Sequence, residues 1–169
     1  MNKNKFLLLF ILCCALPLLL AKLVLELGWF NPGSSSRGDW LSQEVYLLPD
    51  AGKVPKHWRI VVVAEQCATP CQQALHTVKQ LYIGLGRKQN QVQPVLLGQA
   101  SLSDYPMFTQ AETPAALSAD LQQHIVLVDQ RGLALLKYPL PAQAEQMAAT
   151  AKAIRADLMK LMNYDRTSV

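Results

Sequence analysis

Residues 58–64, Trp-Arg-Ile-Val-Val-Val-Ala, form a short apolar run, β-branched at 60–63 and interrupted only by Arg59. A run of this kind is the pattern of a strand covered on both faces, and that requirement constrains the rest of the chain. A helix is expected directly after it. Thr69, Pro70 and Gln72 stand in the order of an N-cap, a first-turn proline and the reciprocal residue of a capping box. Ala74, Leu75, Val78, Leu81 and Tyr82 then recur at helical spacing, and Gly84 or Gly86 can close the helix.

Val92 to Leu97 reads as a second strand, which completes a strand–helix–strand unit with a right-handed crossover if the strands are parallel. A looser stretch, 98–123, carries Pro106 and Pro114. Two further apolar runs, 125–128 and 133–138, flank Asp129-Gln130-Arg131-Gly132, the signature of a β-hairpin. The chain ends in a predicted long helix with Met147, Ala151, Ile154, Leu158 and Leu161 on one stripe. The segment from Trp40 to Lys56 is compatible with an edge strand or with a strap packed along the domain. The order β-α-β followed by β-β-α is that of the thioredoxin core, so the expected class is α/β, thioredoxin-like.

The N-terminal segment adds a membrane element. From Phe6 to Ala21 the chain is uncharged and nearly all apolar, and the apolar character continues past Lys22 and Glu26 to Trp29 and Phe30. At about 1.5 Å per residue, 6–30 is long enough to span about 30 Å of hydrocarbon. Lys22 and Glu26 lie four apart, at pairing distance on a helix. Lys3 and Lys5 flank the other end, which by the positive-inside rule keeps residues 1–5 cytoplasmic and exports the chain beyond residue 30. A cleaved signal peptide is the competing reading, but no small-x-small cleavage site comes after the run. Cys13 and Cys14, inside it, read as membrane-buried apolar side chains. The expected organisation is thus a cytoplasmic 1–5, an anchor 6–30, a linker with a possible edge strand at 31–55, and the thioredoxin-like domain at 56–165. Within the linker, 31–38 is a concentration of turn formers and small polar residues that reads as a flexible tether. With 169 residues, the chain has room for one domain after the anchor.

The net charge of +4 is scattered, without a basic stripe or interleaved aromatics, so nucleic-acid binding is not expected. Gly84-Leu85-Gly86 lacks the spacing of a nucleotide fingerprint, and no paired carboxylates or Ser-His-Asp set suggest themselves.

Chemistry concentrates on Cys67-Ala68-Thr69-Pro70-Cys71, at the junction of the first strand and its helix. Unpaired N–H groups and the positive end of the helix dipole stabilise a thiolate there. The pair can form a disulfide or grip one soft metal ion. A purely stapling disulfide is the alternative, though so short a loop gives little entropic gain. His124 precedes the third strand, where thioredoxins carry their cis-proline, and from there it can complete a three-ligand site. His76, Met147, Met159 and Met162 read as surface or core residues.

Cys67 and Cys71, His124 and the turn Val128-Asp129-Gln130-Arg131-Gly132 together resemble the Sco/SenC family of membrane-anchored, thioredoxin-fold proteins. The chain departs from the family pattern in having Ala68 after the first cysteine and Gln130 after the turn aspartate, where prolines are usual, and in the shorter spacing of His124 from its strand. The resemblance implies Cu(I) as cargo, with Cys67, Cys71 and His124 as metal ligands. It also implies the copper-bearing subunit of cytochrome c oxidase as partner and a single-pass position in the inner membrane with the domain in the periplasm. Two other roles fit the same residues: a thiol–disulfide oxidoreductase that reduces the oxidase cysteines through Cys67 and Cys71, or a non-catalytic assembly factor.

Overall fold

The computed structural model describes residues 3–26, 36–48, 57–114, 117, 119–141 and 143–164. The chain divides into two units, residues 1–35 and 36–169. In the first, α1 (Lys3–Glu26) is one continuous helix that contains Pro17. Lys22 and Glu26 face each other at 3.6 Å, as their spacing requires. Cys13 and Cys14 are free and exposed, as are Phe10, Leu18 and Leu19. The expected membrane-spanning segment is therefore met as a helix only: among the described residues no helix is long and apolar enough to cross a membrane. Trp29, Phe30 and the tether residues 31–35 lie outside the described residues, as do residues 49–56 and 165.

The second unit is built on a six-stranded sheet with spatial order β1-β6-β5-β2-β3-β4. Its strands are β1 (Asp39–Tyr46), β2 (Trp58–Gln66), β3 (Val92–Gln99), β4 (Thr109–Ala111), β5 (His124–Val128) and β6 (Leu133–Pro139). β2 pairs parallel with β3, and β3 with β4; β5 is antiparallel to β2, β6 to β5, and β1 to β6. Among the described residues, the α-helices of this unit are α2 (Thr69–Gly84) and α3 (Ala144–Tyr164).

β2 is buried from Trp58 to Ala64, as its β-branched composition demands, and its alternate residues serve two cores. Ile60, Val62 and Ala64 face α2 and α3, where they join Leu75, Val78, Ile154 and Leu158 in the larger cluster. Val61 and Val63 face the opposite side, with Leu47, Val95, Leu97, Leu121 and Val126. Among the described residues, none in that second cluster comes from α2 or α3. Its lid is β1, the chain just after it, and a short 3-10 turn at Ala119–Leu121. Burying each large aliphatic side chain in these layers contributes about 1.5–3 kcal/mol.

Of the two readings open for the segment from Trp40, the edge strand is met: β1 pairs with β6 and is held at its start by α3, within a unit that runs from Ser36. Other expectations change. The cap of α2 is Ala68, without a side-chain hydrogen bond, and Thr69 is already helical. The reason is that the Gln72 N–H donates to the Ala68 carbonyl at 3.1 Å, which makes this the first helical bond and leaves no capping box. α2 ends at Gly84, and Gly86, at φ +55°, starts the next turn. The loose stretch after β3 contains β4, a short parallel edge strand. Of the α3 stripe, Met147, Ile154 and Leu158 are buried, and Met162 of the last turn joins them in the core.

Two buried aspartates tie segments together. Asp129 accepts from the backbone N–H groups of Arg131 and Leu133, both at 2.8 Å, and closes the β5–β6 hairpin, with Gly132 at φ +94°. Beside it the buried Arg59 guanidinium donates to the carbonyls of His57, Asp129 and Gln130; burial lowers its pKa and the Asp129 charge opposes that. Asp157 of α3 is 1% exposed and gathers the Arg37 N–H (2.7 Å), the Gly38 N–H (3.0 Å) and the Tyr138 hydroxyl (2.8 Å) on Oδ2. Any side chain at Gly38 would run into the Tyr138 ring.

Candidate functional site

β2 ends at Gln66, and the Ala68 N–H donates back to the Gln66 carbonyl at 3.0 Å, so Cys67 sits at the centre of a three-residue turn. α2 begins two residues later. Its first turn holds Pro70, which has no N–H, and Cys71; the remaining first-turn N–H groups have no helical acceptor, and Ala68 supplies no side-chain cap. This end of the helix therefore presents a positive potential to the two sulfurs.

Cys67 and Cys71 form a disulfide with Cα atoms 5.0 Å apart, within the ordinary range for such bridges. The two sulfurs are not equivalent. Cys71 is buried at 3% exposure and packs in the helix-side core, whereas Cys67 is only partly buried. Of the two sulfur-bearing residues, Cys67 is thus the one open to solvent.

His124 opens β5, with Val63 of β2 as its register partner, four residues before Cys67 in the chain. Its Nδ1 lies 2.8 Å from the Gln122 carbonyl. A carbonyl only accepts, so Nδ1 donates and the neutral ring carries its lone pair on Nε2. The preceding residue, Gln123, has φ +56°, a conformation side chains rarely adopt, and its carbonyl accepts from Leu140 N at 3.0 Å. No cis peptide occurs among the described residues, so the position where thioredoxins carry a cis-proline is trans in this chain.

The structure thus joins two of the three expected ligands and leaves the third in a neighbouring strand. Among the described residues, no three His, Cys, Asp or Glu side chains converge into a set able to hold a metal ion. His76 is exposed on α2, Met147 and Met162 are core, and Met159 is half-buried.

Two features near the disulfide carry little sequence signal. Glu65 accepts from Gln122 Nε2 at 3.1 Å and lines a cleft of about 600 Å³ with Gly98, Gln99, Gln110, Glu112 and Thr113, at the carboxyl ends of β2, β3 and β4. Gly98 itself has φ +142° and lies against the Ala64 carbonyl. Only the rule that clefts open at the carboxyl ends of parallel strands points to this region.

Residues 58–165 match the family model described as transmembrane-like, thioredoxin-like, C-terminal domain. Among solved structures, copper-bound ScoI of Bradyrhizobium japonicum aligns at 14% identity and a TM-score of 0.41, over 60% of this chain and 87% of that one. No curated protein matches.

Proposed function

Since the chain belongs to the family of transmembrane-like, thioredoxin-like C-terminal domains, we propose that it is a membrane-anchored thiol–disulfide exchange protein working through Cys67 and Cys71. The observation that carries this reading is the bridge itself: a disulfide at the strand–helix junction, with one sulfur reachable and the other buried in the first turn of α2.

In the reduced protein the Cys67 thiolate attacks a partner disulfide. One sulfur–sulfur bond breaks, a mixed disulfide forms, and one partner thiolate leaves. The Cys71 thiolate then attacks Cys67 Sγ, closing the bridge and releasing the second partner thiolate. The partner gains two electrons and takes up two protons from solvent, and an external dithiol must reduce Cys67–Cys71 for the next cycle. The helix N-terminus favours the thiolate at each stage where a cysteine is free.

Membrane attachment through residues 6–30, with the domain exported to the periplasmic side, belongs to the same proposal. It is supported by the uncharged run 6–21, by the continuous α1 and by the large apolar side chains that α1 exposes.

A second reading takes Cu(I) as cargo, delivered to the copper-bearing subunit of cytochrome c oxidase. It is favoured by the pairing of two cysteines on adjacent elements, because two soft thiolates suit Cu(I), and by the Sco/SenC resemblance of the motif. His124 would supply Nε2 as the third ligand, since its Nδ1 is taken by the Gln122 carbonyl.

The test is a redox titration of the full-length protein in detergent against glutathione buffers, paired with anaerobic Cu(I) competition. A reduction potential above about −300 mV supports exchange, and one below it marks a structural bridge and sinks the proposal. Exchange should survive His124→Ala and be abolished by Cys67→Ser. Stoichiometric tight Cu(I) binding that weakens in His124→Ala would replace this reading by the second.

A further inference from the structure

β2 and β3 run in register from Trp58↔Val92 to Val63↔Leu97, and pairing resumes at Gln66↔Gln99. Between those points β2 spends Ala64 and Glu65 where β3 spends only Gly98, so β2 carries one extra residue immediately before the Cys67 turn. The extra residue changes which face the chain presents. Ile60, Val62 and Ala64 point to the helix side, and strict alternation would send residue 66 there and Cys67 to the opposite face. Cys67 nonetheless packs against the helix-side core, the face that holds Cys71.

The bulge depends on one residue of the neighbouring strand. A β carbon added at Gly98 would overlap the Ala64 carbonyl oxygen and lie 2.8 Å from its carbon, and both are backbone atoms that no rotamer change can move. The φ of +142° adds a second demand for glycine. The Gly98 carbonyl is in turn held by Gln110 Nε2 at 2.7 Å.

From this geometry we infer that Gly98 is the positioning residue for Cys67. By leaving room for the Ala64 carbonyl it permits the bulge that turns the reactive sulfur onto the face of Cys71. The inference rests on the exchange reading of the pair.

The experiment compares full-length wild type, Gly98→Ala and Gly86→Ala in glutathione redox buffers, reading the equilibrium constant for closing the bridge, with thermal unfolding monitored in parallel. Gly86 is the matched control: its φ of +55° also disfavours alanine, but nothing lies within 4 Å of the added carbon. Gly98→Ala is expected to disfavour bridge closure at least tenfold, about 30 mV in potential. Gly86→Ala should lower the melting temperature and leave that constant within twofold. If Gly98→Ala does not fold, Gln110→Ala removes the bond to the Gly98 carbonyl from an exposed site and should shift the constant about threefold in the same direction. A folded Gly98→Ala, or in its place a Gln110→Ala, with the wild-type constant overturns the positioning role, as do equal shifts in both glycine variants. A wild type that never exchanges with glutathione sinks the exchange reading as well.

Discussion

Asp129 and Asp157 are both buried carboxyl groups that accept backbone N–H bonds, yet they are built in opposite ways. Asp129 works within its own turn, taking Arg131 N and Leu133 N on Oδ1 and Arg131 Nε at 3.3 Å on Oδ2. Asp157 works across the chain: two of its donors are 119 and 120 positions away, and all three converge on Oδ2. Its Oδ1 is buried without a hydrogen-bond partner among the described residues, as is Ser36 Oγ beside the Arg37 donor. A locally satisfied carboxyl shapes one turn; a long-range one decides whether β1 belongs to the domain at all.

The largest effect should come from breaking the long-range member. Asp157→Ala strands two backbone N–H groups and a hydroxyl in a buried place, and the expected loss is about 3–4 kcal/mol in denaturant unfolding. Hydrogen exchange should rise first along β1, since its start is what the carboxyl holds. Asp157→Asn keeps one acceptor oxygen and should lose less than half as much. Asp129→Ala comes next, at about 1–2 kcal/mol, because the freed donors lie near a surface turn where water can reach them. If Asp129→Ala proved the costlier of the two, the distinction between local and long-range ties would fail.

The same contrast explains what is legible in the sequence. Asp129 is readable because Asp-Gln-Arg-Gly lies between two apolar runs, and turn chemistry acts over four residues. The helix-side core is readable for a similar reason: Ala74, Leu75 and Val78, and later Met147, Ile154 and Leu158, repeat at the helical period. The other core is not, because Leu47 and Leu121 reach it from segments with no period of their own. Asp157 gives no signal: one acidic residue on a helix reads as solvated until Tyr138 and the start of β1 are brought to it. At the site, Cys67 and Cys71 are legible from spacing and from the helix start. The register position of His124 opposite Val63 and the demand for glycine at 98 are not, since both depend on strand pairing, which a single sequence does not display.

A smaller effect isolates one arm of the Asp157 tie. Burial first, then the hydrogen bond to Asp157, push the Tyr138 hydroxyl well above its ordinary value. The neutral phenol is therefore favoured in the folded state. This contribution to stability is fully present below the unfolded value of about 10 and is lost as pH rises beyond it. Tyr138→Phe should cost about 1 kcal/mol at neutral pH by removing the hydroxyl donor. It should also flatten the fall in stability between about pH 10 and 11, measured by urea unfolding at each pH. An unchanged alkaline slope would place the titrating group elsewhere.

The smallest effect belongs to Asp120, an exposed aspartate that bonds Lys137 on β6. The hydrogen bond from Lys137 and then its charge hold the Asp120 carboxyl below the usual range, with a minor contribution from His124. A depressed value means the pair stabilises above the unfolded pKa of about 3.9 and is lost as pH falls through the folded one. Solvent and salt screen so open a pair. Asp120→Asn should therefore leave the unfolding midpoint unchanged in 1 M salt and lower it detectably only in dilute buffer near neutrality, with the difference vanishing in acid. Because Asp120 lies three residues after the described Leu117 and four before His124, the variant also probes the histidine's surroundings without touching either cysteine. An equilibrium constant for the bridge that moves with Asp120→Asn would mean that the charge in the 3-10 turn before β5 reaches the sulfurs, and that the bridge is coupled to this turn rather than to β2 and α2 alone.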